Sequence, residues 1–271
     1  MVSSAIYTSS LCAWLSLAAA SPVSAFGPGP SGGSAAAVRS AQDAPRGAAA
    51  SRAQGKAVAA NAPSEATPRD DGLPLADVIA RVQRHYDGTQ SYRASFEQAQ
   101  LNATFGRTTR SSGEVTFKKP GRMRWDYTSP EKKTFVSNGD VLWLYEPEDK
   151  QAFKQDLKSS QLPAALAFLM GKGKLSDQFD VEFAPQLTYG RPGDYRLSLK
   201  PKQAQSSYKA IFFIVDPQSF HVRQTVLVDS QGNINDVTFK DMVRNPKLSD
   251  ATFQWKAPAG VRVIDAGKAR P

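Results

Sequence analysis

A chain of 271 residues with one cysteine, two histidines and a net charge of +9 has almost no material for thiol, disulfide or histidine-metal chemistry. The length suits one or two domains. The basic balance fits nucleic acid, anionic membrane or an acidic protein as partner, or simply a soluble protein of high pI.

In chain order, residues 1–25 read as a secretory signal peptide. An apolar run from Leu11 to Ala20 is followed by small residues ending at Ala25, and the run is too short to span a bilayer. The n-region departs from the pattern, because the first basic residue is Arg39. Cys12 sits near the start of the apolar run and not behind it, so it reads as a passenger of the leader and not as a lipid-attachment site. Export makes nucleic acid the least fitting of the three partners. Residues 26–71 are rich in Ala, Gly, Pro and Ser and have no aromatic after Phe26. Such a segment buries too little apolar area to offset its ordering entropy and is expected to be a disordered linker. That leaves a domain over 72–265 and a short tail at 266–271.

The domain opens on Leu75, Val78, Ile79, Val82 and Tyr86, the stripe of an amphipathic helix, with Asp71 as its cap, Pro74 in its first turn and Gly88 at its end. The period then changes to two. Tyr92, Ala94, Phe96 and Gln98 alternate with polar residues, as do Val115 and Phe117, then Met123, Trp125 and Tyr127. Asn138-Gly139 between TFVS and VLWLY predicts a hairpin. Further strands are expected at QAFKQDL, FDVEFAP, DYRLSLKP, YKAIFFIVD, HVRQTVLVD, INDVTFKDM and FQWKAP, separated by turn residues such as Gly190, Pro192-Gly193, Pro217 and Gly232-Asn233. Some ten strands at hairpin spacing predict an antiparallel meander closing toward a barrel. One segment interrupts it. Leu162, Ala165, Leu166, Leu169 and Met170 share a helical face, from which Phe168 falls away, and flanking glycines permit hinge motion.

Chemical motifs are scarce. His85 and His221 stand far apart in sequence without partners at metal or triad spacing, and no nucleotide loop, nucleophile elbow or zinc helix occurs. Gly171-Lys172-Gly173-Lys174 follows a predicted helix instead of opening one, and Glu146-Pro147-Glu148-Asp149 reads as a solvated turn. An enzyme is disfavoured and no cofactor is implied. The sequence is instead rich in large apolar side chains within strands: Phe96, Phe117, Met123, Trp125, Tyr127, Phe135, Trp143, Tyr145 and Phe153. These predict either a filled core or an apolar cavity roofed by the helix at Leu162, Leu166, Leu169 and Met170.

The stretches Tyr92 to Gln98 (YRASFEQ), Gly113 to Trp125 (GEVTFKKPGRMRW) and Val136 to Pro147 (VSNGDVLWLYEP) resemble the periplasmic outer-membrane lipoprotein carrier family, LolA. The resemblance covers about residues 74–264. It implies a mainly β fold, an antiparallel incomplete (half-open) β-barrel of about 11 strands with a helical lid. It implies a monomeric periplasmic carrier that takes acylated lipoproteins from an inner-membrane ABC transporter and passes them to an outer-membrane acceptor. The family places Arg before the turn proline; Lys119 stands there in this chain and is the corresponding candidate for a lid latch, with the charge but not the planar fork. Alternatives are a carrier or sensor of another lipid or glycolipid with the same fold, a hydrolase with a scattered site, and a purely structural β domain. Arg122, Arg124 and Lys119 fit either an acidic partner surface or a solvated face.

Overall fold

The computed structural model describes residues 72–157, 168–169, 173–203 and 208–265. The leader at 1–25, the linker at 26–71, the tail at 266–271 and the lid positions Leu162, Leu166 and Met170 lie outside them. Helix α1 (Leu75–Asp87) leads into β1 (Ser91–Asn102), β2 (Arg107–Lys118), β3 (Arg122–Ser129), β4 (Lys133–Ser137), β5 (Val141–Glu146) and β6 (Gln151–Asp156). A one-turn helix α2 (Leu175–Gln178) precedes β7 (Phe179–Phe183), β8 (Tyr195–Pro201), β9 (Tyr208–Val215), β10 (Val222–Asp229) and β11 (Ile234–Arg244). A 3₁₀ turn (Asp250–Phe253) and β12 (Arg262–Asp265) follow.

Among the described residues, twelve strands form one sheet in the order β12-β6-β5-β4-β3-β2-β1-β11-β10-β9-β8-β7. The edge strands β7 and β12 do not meet, so the barrel is incomplete, as expected. Two pairings depart from an antiparallel meander: β1 lies beside β11, and β12 runs parallel to β6. FQWKAP is not a strand: its Phe253 ends the 3₁₀ turn and the rest is irregular up to Arg262. Its two aromatics are anchors instead: Phe253 is buried and Trp255 packs on Trp143 and Tyr145, pinning the segment to the sheet.

Local signals explain the elements. α1 buries Val78, Val82 and Tyr86, with Pro74 at its N-cap rather than inside its first turn and Gly88 at its C-cap. Asn138 Oδ1 accepts from the backbone N–H groups of Asp140 and Val141, an Asx turn that lets Gly139 take φ +106°. Gly113 matters for a different reason. A Cβ there would lie 2.0 Å from the Asp126 carbonyl oxygen, so only glycine lets β2 and β3 approach at the bulge between Ser112 and Gly113.

Candidate functional site

Directly opposed residues of antiparallel strands point to the same face, so register sorts the aromatic side chains. Val115, Trp125, Phe135, Leu144 and Phe153 form one row across β2 to β6. Tyr92, Phe117, Met123, Ser137 and Leu142 form the next, and Phe239, Phe96, Gly113 and Tyr127 a third. This inner face is one apolar cluster, with Phe96 1 % exposed and Trp125 4 %. Phe96 meets two rings edge to face, Trp125 at 4.8 Å and Tyr127 at 4.9 Å between centroids, while Tyr92 stacks on Phe117 at 5.4 Å. Each such pair adds about 0.5–1.5 kcal/mol beyond burial.

Seven of the nine expected cavity residues gather here: Phe96, Phe117, Met123, Trp125, Tyr127 and Phe135 within the cluster and Phe153 against it. Trp143 and Tyr145 do not. They belong to the outer rows Arg124–Val136–Trp143–Lys154 and Thr134–Tyr145–Ala152, where both rings pack on Trp255 at 5.0 and 5.2 Å. VLWLY is apolar at every position, so composition alone could not say which parity faces inward; Leu142 and Leu144 do.

The inner face contains few polar atoms. Tyr127 donates its hydroxyl to Gln98 Oε1 at 3.0 Å, and Gln98 Nε2 donates to Asn235 Oδ1 at 2.8 Å. Burial pushes the Tyr127 phenol well above its usual range, so it stays a neutral donor. Lys133, at the rim, lies 4.6 Å from the Tyr127 ring centroid, and burial lowers its ammonium below the usual lysine range. Trp125 Nε1 is buried with no hydrogen-bond partner.

A second apolar cluster continues the inner face over β8 to β10 and is covered by α1 through Val78, Val82 and Tyr86. Phe168 is 0 % exposed within it, its ring 5.1 Å from Tyr86 and 6.2 Å from Phe213. The side chain that fell off the predicted lid stripe is therefore the one inserted into the core. Leu169 packs on the same cluster and lines a shallow surface crevice, with room for little more than a water molecule, together with Tyr92, Phe117, Lys119 and Arg122. Lys119, the expected latch, shares that crevice, but its ammonium donates to the carbonyls of Tyr86 at 2.7 Å and Asp87 at 3.3 Å. It caps the C-terminal end of α1, beside the place where Phe168 docks.

Two features were not legible in sequence. His85 and His221 come together with ring centroids 6.2 Å apart; burial, then Arg244 and His221, hold His85 down to about 4. The basic residues Lys118, Arg122 and Arg124 lie on the outer face but are paired: the first two meet Asp250, and the third meets Asp126 and the Thr252 carbonyl. They tie the 3₁₀ turn to β2 and β3 and do not form an unpaired basic face. Among the described residues no group of three or more His, Cys, Asp or Glu could hold a metal, and no helix is long and apolar enough to cross a membrane.

The family model described as "Outer membrane lipoprotein carrier protein LolA" matches residues 87–256. The chain belongs to the LolA family. It is 30 % identical to an outer-membrane lipoprotein carrier protein of Pseudomonas paraeruginosa over 199 residues, 71 % of this chain and 91 % of that one. Namesakes from Alkalilimnicola ehrlichii and Dechloromonas aromatica are 30 % and 26 % identical, over 85 % and 91 % of their lengths. A solved LolA-superfamily structure from Nitrosomonas europaea covers 68 % of this chain and 99 % of its own at 12 % identity and a TM-score of 0.38, a likeness too distant to bear on function.

Proposed function

We propose that this chain is a non-enzymatic periplasmic carrier of acylated lipoproteins, with the inner face of the open barrel shielding their acyl chains. The observation that carries the reading is that inner face: three adjacent rows of aromatic and aliphatic side chains with few polar atoms, of which the Tyr127 hydroxyl is satisfied by Gln98. Each acyl methylene withdrawn from water is worth about 0.8 kcal/mol, so a multiply acylated protein needs such a surface to cross an aqueous compartment. Dispersion and burial suffice to hold the chains, with no directional bond that would slow release. The segment 162–170 would act as lid, seated through Phe168 and Leu169 at the seam between the two clusters. Lys119 would act on that lid indirectly, by fixing the end of α1 against which Phe168 rests. Loading from an inner-membrane ABC transporter and delivery to an outer-membrane acceptor complete the proposed route, following export through a cleaved leader at 1–25 and with 26–71 as tether.

The test is native mass spectrometry, with lipid extraction, of the chain recovered after co-expression with an acylated lipoprotein or its non-acylated Cys→Ser form. Capture of the acylated form alone is expected. Free phospholipid or glycolipid in its place would favour a carrier of another lipid. Equal capture of both forms, or of nothing, would overturn the reading.

A further inference from the structure

We propose that the β1–β2 hairpin is a membrane-docking prong that seats this protein on anionic phospholipid. Phe105, at its tip, is 80 % exposed, the most exposed large apolar side chain among the described residues. The backbone under it is ordered: Asn102 Oδ1 accepts from the Phe105 N–H, and Asn233 Oδ1 from the Ala103 N–H. Pairing of β2 with β3 ends at Ser112 opposite Ser129, so Arg107 to Ser111 run past the last β3 partner and the prong stands clear on that side. Nothing lies within 4 Å of the position a Gly106 side chain would take.

Charge identifies the occupant. From Gln98 to Gly113 there is no acidic residue, only Arg107 and Arg110, in a chain that carries 25 Asp and Glu. Both arginines are exposed. The nearby carboxylates have other donors: the Asp229 carboxylate accepts from the Gln231 N–H and from the N–H and side-chain amide of Asn233, and Asp236, which Arg110 also attracts from nearby, accepts from Gln224. An exposed ring at the apex, with two exposed guanidinium groups just behind it on β2, matches a bilayer interface, with the ring at the acyl-headgroup boundary and the arginines on phosphates. An acidic protein surface would satisfy the arginines but leave Phe105 without a stated pocket.

The inference deepens the carrier reading, since a carrier must visit membranes, but its test is separate. Flotation of the chain as recovered from cells is measured with phosphatidylcholine vesicles, with and without phosphatidylglycerol, at low and high salt. Wild-type protein is expected to float with the anionic vesicles and to be released by salt. Phe105→Ser and the double variant Arg107→Gln/Arg110→Gln are each expected to lower the bound fraction on the order of tenfold. Phe183→Ser, 42 % exposed on the edge strand β7, should float as wild type. Capture of acylated lipoprotein in solution should be unaltered by the hairpin variants, so lost cargo capture with retained flotation would sink the carrier reading alone. Hairpin variants that float as well as wild type, or a Phe183→Ser loss of equal size, would overturn the prong.

Discussion

Replacing Gly113 by alanine probes whether the tight β2–β3 approach supports the whole inner face. The new methyl carbon would stand 2.0 Å from Asp126 O, more than 1 Å inside ordinary contact, and 2.9 Å from the Tyr127 Cα, still well inside it. Both are backbone atoms, so no side-chain rotation relieves the clash and the strands must part. Gly113 lies opposite both Phe96 and Tyr127, the rings packed at 4.9 Å. Parting the strands therefore loosens the centre of the apolar cluster. Forced overpacking of this kind costs about 1–3 kcal/mol, occasionally more. Against it, alanine lowers the entropy of the unfolded chain, a gain of about 0.4–1 kcal/mol. A net loss of about 2 kcal/mol is expected, or a fall in Tm of roughly 4–8 °C for a domain of this size, read by thermal melts with near-UV dichroism for the rings. Gly106→Ala is the comparison: φ is +60° but nothing lies within 4 Å, so backbone strain alone, about 1 kcal/mol, is expected. A Gly113→Ala protein with unchanged or higher Tm would refute the packing argument.

Lys119→Met should lower stability by about 1–2 kcal/mol, since two carbonyls at the end of α1 lose a charged donor, while Lys119→Arg should keep most of it; equal urea midpoints for Met and wild type would contradict the cap. His85 is held neutral in the fold, at about 4 against 6.5 when free. Stability should thus be complete above about pH 6.5 and fall as pH drops toward 4. The group is half-buried, so the loss is on the order of 1 kcal/mol after discounting for solvent. Urea midpoints of His85→Asn should show a flatter acid limb, and an unchanged one would exclude His85 as the cause. Trp255→Ala should bare Trp143 and Tyr145 and red-shift the tryptophan emission, yet leave cargo capture intact; lost capture would mean that the outer face takes part.

Much of this fold was legible because most strands alternate cleanly and several turns carry a residue suited to them, as at Asn138-Gly139, although Lys150 and Phe220 take positive φ in theirs. α1 was legible from one stripe, of which Val78, Val82 and Tyr86 are buried. The inward set was readable wherever polar neighbours marked the outer face, as around Met123, Trp125 and Tyr127. In VLWLY that contrast is missing, and Trp143 and Tyr145 were assigned by size to a face they do not occupy. Phe168 was excluded by helical periodicity, which describes one face of a helix and not what a neighbour such as Tyr86 will accept. The approach of His85 to His221 and the pairing of β12 with β6 depend on contacts more than a hundred residues apart, for which local pattern has no signal.

The central claim is that acyl chains lie on the inner face and nowhere else. Leu144 and Trp143 are neighbours in β5 whose side chains point to opposite faces. Placing a photocrosslinking phenylalanine analogue at each in turn, in protein loaded with a lipoprotein bearing radiolabelled acyl chains, reads that directly. The account predicts label transferred to the chain from position 144 and none from position 143. Equal transfer from both, or transfer from 143 alone, would contradict it.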